Sequence, residues 1–140
     1  MEVSIHDIID LVKEKTGDDD VNESTDIFED LGCVGDDFHE LIEEYAKKYN
    51  VDMTSYLWYF HADEEGGWNS IGGTFFKPPY ERIKRIPVTP LMLLKFATKG
   101  KWEISYPEHH LPKRRYDIIT NQIVLILFLI VVVYYLIKAI

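Results

Sequence analysis

The segment IITNQIVLILFLIVVVYYLIKAI, residues 118–140, restricts the fold more than any other part of the chain. From Ile118 to Ile137 the clearly polar side chains are Thr120, Asn121 and Gln122, all in the opening turn, and Ile123 to Ile137 is apolar apart from tyrosine hydroxyls. About 20 helical residues rising about 1.5 Å each span about 30 Å, the thickness of a bilayer's hydrocarbon core. The alternatives are a buried core helix or a hairpin, the latter because Val and Ile favour strands in water. Both fail on size, since the rest of the 140-residue chain forms one small core and cannot cover such a segment on all sides. The expectation is a transmembrane helix over 118–137.

The flanks suit a spanning segment. Lys113, Arg114, Arg115 and Tyr116 belong at one interface, and Tyr134, Tyr135 and Lys138 at the other. The positive-inside rule puts the Lys113–Arg115 side in the cytoplasm, which is the layout of a single-pass, tail-anchored protein. The N-terminal MEVSIHDIIDLVKEK has neither a basic leader region nor an unbroken apolar run, so no secretory signal is read there. No small-xxx-small pattern occurs in the span. The single cysteine, Cys33, excludes an intramolecular disulfide and a thiolate metal cluster.

Charge divides the chain. Residues 1–65 hold 20 acids against 4 bases, whereas residues 66–140 hold 4 acids against 11 bases. The acidic half repels nucleic acid and acidic membranes, and the basic half does not. No nucleic-acid partner is expected.

Ser4 and Asp7 form a helix start, and Ile5, Ile8, Ile9 and Val12 recur at helical spacing up to Gly17. The following GDDDVNESTDIFED has no period and reads as a long acidic loop anchored by Ile27, Phe28 and Leu31. Its three consecutive aspartates lack the alternate spacing and turn glycine of a calcium loop. Beyond Gly35 the period is strong: Phe38, Leu41, Ile42, Tyr45 and Tyr49 share one face of a helix. Asp36, Asp37, Glu40, Glu43 and Glu44 share the other with Lys47 and Lys48. Acids open this helix and lysines close it, as the macrodipole favours. Such a strip reads as a solvated face on a core helix and, in the sharper reading, as a docking surface for a basic partner.

The run EDLG, from Glu29 to Gly32, followed by ELIEEYAKKYNVDM resembles the acyl carrier protein pattern, and the fit from Asp30 to Met53 needs no gap. RIPVTPLMLLKFATKG resembles the last carrier helix, with Thr89 as cap, Pro90 in the first turn, Leu91, Leu94 and Phe96 or Ala97 inward, and Gly100 as terminator. LGCVGDD and the later Gly100-Lys101-Trp102 are similar to a group of bacterial carrier-like proteins. The resemblance covers about residues 4–53 and 86–100 and implies a small helical bundle. In carriers a serine before the acidic helix bears 4′-phosphopantetheine. The matching positions here are Val34, Gly35 and Asp36, and glycine offers no hydroxyl, so no cofactor is expected at Gly35.

An aromatic insertion, about residues 54–85, separates the two carrier-like blocks. It contains Tyr56, Leu57, Trp58, Tyr59, Phe60, Trp68, Phe75, Phe76 and Tyr80. A helical turn capped by Thr54 or Ser55 opens it, and two Gly-Gly pairs and Pro78-Pro79 read as turns, which permits a short hairpin. The aromatics serve either as core or as an exposed contact patch. Lys77, Arg82, Lys84 and Arg85 beside them suit anionic headgroups or the acidic helix of another copy. Adjacent His109 and His110 cannot share a metal by local geometry, and His39 and His61 lack motif partners. Ser24, Ser55 and Ser70 lie in no nucleophile elbow. No catalytic or metal site is expected.

The expected architecture is therefore mainly α. It comprises a degenerate acyl-carrier-like bundle (1–101), a linker with a basic juxtamembrane segment (102–117), and a transmembrane helix (118–137). The expected function is a non-enzymatic, membrane-anchored adaptor in the bacterial inner membrane, with its domain cytoplasmic and its acidic helix docking a protein with a basic patch. A carrier modified elsewhere, for example on Cys33, and an accessory subunit of a membrane complex are the alternatives.

Overall fold

A computed structural model describes residues 3–65 and 70–139. The described residues form five α-helices and no strands: α1 (Ile5–Thr16), α2 (Gly35–Tyr49), α3 (Ile71–Phe75), α4 (Pro90–Lys99) and α5 (Tyr116–Ala139). The mainly α class follows, with α1, α2 and α4 as the bundle.

Each bundle helix has local causes for its ends. At α1, Ser4 and Asp7 form a capping box, in which Ser4 N–H donates to Asp7 Oδ2 at 2.8 Å and Asp7 N–H donates to Ser4 Oγ at 3.3 Å. Gly17, at φ 71°, closes the helix in the left-handed region. In α4, Thr89 Oγ1 accepts from Met92 N–H and Pro90 occupies the first turn. The inward stripe of α4 is Pro90, Leu93, Phe96 and Ala97, so the expected Leu91 is instead 51 % exposed and Leu94 half-buried. Leu91 lies off that stripe because its N–H is docked on the Glu23 carbonyl at 3.0 Å, which fixes the first turn.

Phe38, Leu41, Ile42, Tyr45 and Tyr49 all face inward from α2, against Ile8, Leu11 and Val12 of α1 and Leu93 and Phe96 of α4. Two tyrosines tie the helices by polar contacts. Tyr45 hydroxyl donates to the Leu93 carbonyl at 2.6 Å, and Tyr49 hydroxyl to the Asp7 carbonyl at 3.1 Å.

The segment after α4 belongs to the core rather than to a free linker. Trp102, the first residue of the expected linker, is fully buried, with Tyr56 and His61 edge-to-face against it and Phe96 tilted beside it. Asp52 and Lys101 form an isolated parallel bridge, with Asp52 N–H donating to the Gly100 carbonyl and Trp102 N–H to the Asp52 carbonyl, both at 2.9 Å. Ser55 hydroxyl donates to the Trp102 carbonyl. The packed body therefore continues past residue 101.

The insertion divides into core and surface. Its opening turn is capped by Asp52, whose Oδ1 accepts from Thr54 N–H at 2.9 Å, and a 3₁₀ turn follows at Trp58–Phe60. Phe60 and His61 are fully buried. No hairpin forms among the described residues. Instead Gly72 and Gly73, expected as a turn, lie inside α3, whose cap Ser70 accepts from Gly73 N–H at 2.9 Å. Gly66, Gly67 and Trp68 fall outside the described residues.

Beside Trp102, His61 and Tyr106 form a neutral polar network. His61 Nδ1–H donates to the Ile86 carbonyl at 2.9 Å, leaving Nε2 to accept from Tyr106 hydroxyl at 2.8 Å. Tyr106 oxygen in turn accepts from Trp102 Nε1–H at 2.9 Å. Burial is the main cause that pushes the His61 pKa down to about 4, since a charged imidazolium there would be desolvated. An unfolded histidine titrates near 6.5, so below that pH the unfolded chain takes up a proton that folded His61 refuses. Stability is thus full above about pH 6.5 and falls towards pH 4, by about 3 kcal/mol from this group. Urea unfolding of the detergent-solubilised protein across that window measures the loss, and a His61→Asn variant is expected to lack that step. Trp102→Ala is expected to cost about 3–5 kcal/mol in the same assay, as for other buried tryptophans.

Candidate functional site

All five acids of the expected docking strip, Asp36, Asp37, Glu40, Glu43 and Glu44, are exposed on α2. Glu44 forms an ion pair with Lys15 of α1, so part of the strip is already tied within the chain. Beside the strip, a groove of about 550 Å³ runs between α2 and the insertion. Ile42, Ala46, Met53, Tyr56 and Trp58 line it together with the acids Asp36, Glu43 and Glu64. The combination presents carboxylates next to an apolar trough.

The N-terminus of α2, where a carrier bears its prosthetic group, is closed. Val34 supplies no side-chain cap. The missing acceptor comes from the insertion: Asp63 Oδ1 accepts Gly35 N–H at 2.9 Å, a cap reaching across 28 positions of sequence. His39 Nε2–H donates to the Asp63 carbonyl at 3.0 Å, holding the loop from the next turn of the helix. Gly35 is buried and has φ 54°, a region that penalises side chains. A Cβ placed there would stand 2.5 Å from Glu65 Cγ. Both the backbone and the cover therefore oppose a modifiable serine at this position.

Cys33 is 6 % exposed. Burial first, and the Asp37 carboxylate second, push its thiol up to about 11. The thiolate required for acyl transfer is scarce at neutral pH.

At the start of α5 the expected basic interface is rearranged. Arg115 does not extend toward headgroups; its guanidinium forks onto Glu64 at 3.0 and 2.7 Å and onto Asp117 at 2.9 and 2.6 Å. The Arg115 hydrogen bond is the largest cause holding the Asp117 carboxyl below its usual range. Lys113 and Arg114 remain exposed and make no ion pair among the described residues, while Tyr116 is 46 % exposed. Tyr134, Tyr135 and Lys138 are exposed at the far end of α5. That helix is 24 residues long, its most apolar 18-residue stretch has a mean hydropathy of 2.5 and is not buried, and it is thus long and apolar enough to cross a membrane.

Arg85 also departs from the expected basic cluster. It pairs with Asp26 at 2.6 Å and Glu29 at 3.3 Å and lies 5.0 Å over the Phe28 ring. The acidic loop after α1 is thereby clamped to the insertion. His109 accepts from Tyr59 hydroxyl at 2.8 Å through Nε2 and donates to the Pro107 carbonyl through Nδ1, a packing arrangement separate from exposed His110. Among the described residues no group of three His, Cys, Asp or Glu side chains is placed to hold a metal.

Asp63 and Glu64 are the site residues that sequence reasoning missed. Their partners lie 28 and 51 positions away, and no local pattern marks an acid that caps a distant helix.

Residues 4–104 match the family described as "Protein of unknown function (DUF1493)", and the chain belongs to that family. The match runs from the cap of α1 through Trp102 and stops before α5. No curated protein and no solved structure matches the chain.

Gly35→Ser tests the closure of the carrier position. The variant is expected to stay unmodified when incubated with coenzyme A and a broad-specificity phosphopantetheinyl transferase, read by intact mass. It is also expected to lose about 1 kcal/mol of stability from the left-handed backbone. Efficient loading would show that Asp63 and Glu65 do not cover the position.

Proposed function

We propose that this protein is a non-enzymatic, membrane-anchored adaptor whose N-terminal body is a degenerate acyl-carrier-like domain. The observation that carries this reading is the pairing, on one helix, of an exposed acidic face with a closed carrier position. Asp36, Asp37, Glu40 and Glu43 are exposed for recognition, with Glu44 exposed beside them and paired to Lys15, while Gly35 is buried beneath Asp63 and Glu65. A face of this charge favours a protein partner with a basic patch, through both steering and specificity. The partner's apolar side chains would find the trough of Ile42, Ala46 and Met53 beside the acids.

In this reading α5 crosses the bilayer once, with Lys113 and Arg114 on the cytoplasmic side of a bacterial inner membrane. The body is thereby held at the membrane surface. Burial of Cys33 weighs against the alternative in which an acyl group is carried as a thioester on that residue.

The test is copurification from detergent-solubilised native membranes. Glu40→Lys combined with Glu43→Lys is expected to lower recovery of a specific partner about fivefold or more, as befits loss of two rim charges worth about 1 kcal/mol or more together. Asp18→Lys combined with Asp20→Lys, in the exposed loop, serves as the charge-matched control and retains the partner. Retention of every partner by the α2 variant would remove the docking role. Loss that instead follows replacement of α5 by an unrelated membrane span would favour the accessory-subunit reading.

A further inference from the structure

α3 is packed on the first turns of α5, and its sequence explains how. Gly72 N–H donates to Asn121 Oδ1 at 2.8 Å, and a Cβ on Gly72 would collide with the Asp117 carbonyl. Glycine is therefore needed for the two backbones to approach. A hydrocarbon core takes about 20 helical residues, so of the 24 in α5 about one turn projects beyond it. The polar residues Asp117, Thr120, Asn121 and Gln122 place that turn at the N-terminal end. α3 is thus fixed at the level of the membrane interface.

Its outer surface is apolar. Ile71 is 50 % exposed, Phe75 74 % and Phe76 41 %, and the Phe76 ring lies 5.8 Å from that of Tyr116. Immediately beside it, a groove of about 270 Å³ is lined by Phe76, Tyr116, Lys77, Arg82 and Arg114. Arg82 is oriented by a bond from its Nε–H to the Lys77 carbonyl at 2.7 Å. None of these three cations makes an ion pair among the described residues. The other charged lining groups, Arg115 and Asp117, are paired with each other. The groove therefore presents net positive charge beside exposed aromatic rings.

We propose that this face is a second bilayer contact, in which Ile71, Phe75 and Phe76 enter the interfacial layer and Lys77, Arg82 and Arg114 hold the phosphate of an anionic phospholipid headgroup. A lipid surface fits better than a protein because the face continues the anchor at the same depth and because aromatic side chains flanked by cations suit that layer. The proposal rests on the membrane-anchored reading.

The experiment uses the full chain in vesicles, with a nitroxide on Phe75→Cys, Leu127→Cys or Glu23→Cys in a Cys33→Ala background. Collision rates with oxygen and with a water-soluble nickel chelate are measured in neutral phosphatidylcholine and in mixtures containing phosphatidylglycerol. The expected result is that the label at 75 is several-fold more shielded from nickel than the label at 23 when phosphatidylglycerol is present. Lys77→Glu with Arg82→Glu and Arg114→Glu, or Lys77→Glu alone should the triple variant misfold, is expected to reduce that shielding toward the value at 23. A label at 127 deep in lipid with a label at 75 in water overturns this proposal and leaves the anchor intact. A label at 127 in water overturns both. Shielding at 75 that is indifferent to phosphatidylglycerol and to charge reversal excludes headgroup binding. Shielding that grows with the protein-to-lipid ratio assigns the face to a second copy instead.

Discussion

The structure depends on the burial of Trp102. Its indole fills the space between Phe96 of α4 and Tyr56 and His61 of the insertion, and its Nε1–H ends on Tyr106. Three elements distant in sequence therefore share one side chain. Removing it would open a cavity at their junction and take away the Nε1–H that Tyr106 accepts, so the penalty combines lost contacts with a lost hydrogen bond in the polar network. The bridge between Asp52 and Lys101 fixes the backbone on which the indole is mounted. A three-helix bundle with only a short chain of its own thus gains a larger core by enclosing part of the insertion.

What could be read in the sequence was what local chemistry controls. The capping box at Ser4, the stop at Gly17, the inward face of α2 and the apolar length of α5 each follow from residues a few positions apart. What could not be read depends on tertiary partners. Arg115 looks like a juxtamembrane cation, and its capture by Glu64 is set by how the insertion folds back 51 positions away. Gly72-Gly73 has the composition of a turn, yet becomes helical because Asn121 and the Asp117 backbone select a residue without Cβ. Leu91 resembles its buried neighbours in hydrophobicity and differs only in phase, which the dock of its N–H on Glu23 decides. The phase of a short helix is a tertiary property.

The carrier resemblance takes on a physical meaning at Gly35. Absence of a hydroxyl removes the attachment chemistry, but the structure goes further by occupying the position. A helix N-terminus carries unsatisfied N–H groups and partial positive charge, and an anionic prosthetic phosphate is a natural complement to both. Asp63 supplies that complement from within the chain. The first N–H of the helix is thereby satisfied without a ligand, and the acidic face beyond it is presented on a helix that is anchored at its start.

The same loop also reaches α5, the helix long and apolar enough to cross a membrane. Asp63 caps α2 and the next residue, Glu64, holds Arg115 at the entrance to α5, so one peptide unit separates the two attachments. A cleft lined by Asp36, Glu64, Arg115, Asp117 and Asn121 shows the first turn of α2 and the first turns of α5 meeting around that loop. The Arg115 cluster is partly shielded from water, and its forked geometry constrains orientation as well as distance. A flexible tether between body and span would let the acidic face sample every direction. Two consecutive side-chain locks instead make the direction of that face a consequence of how α5 is oriented, so that in the proposed adaptor any docking on α2 would be tied to the geometry of α5.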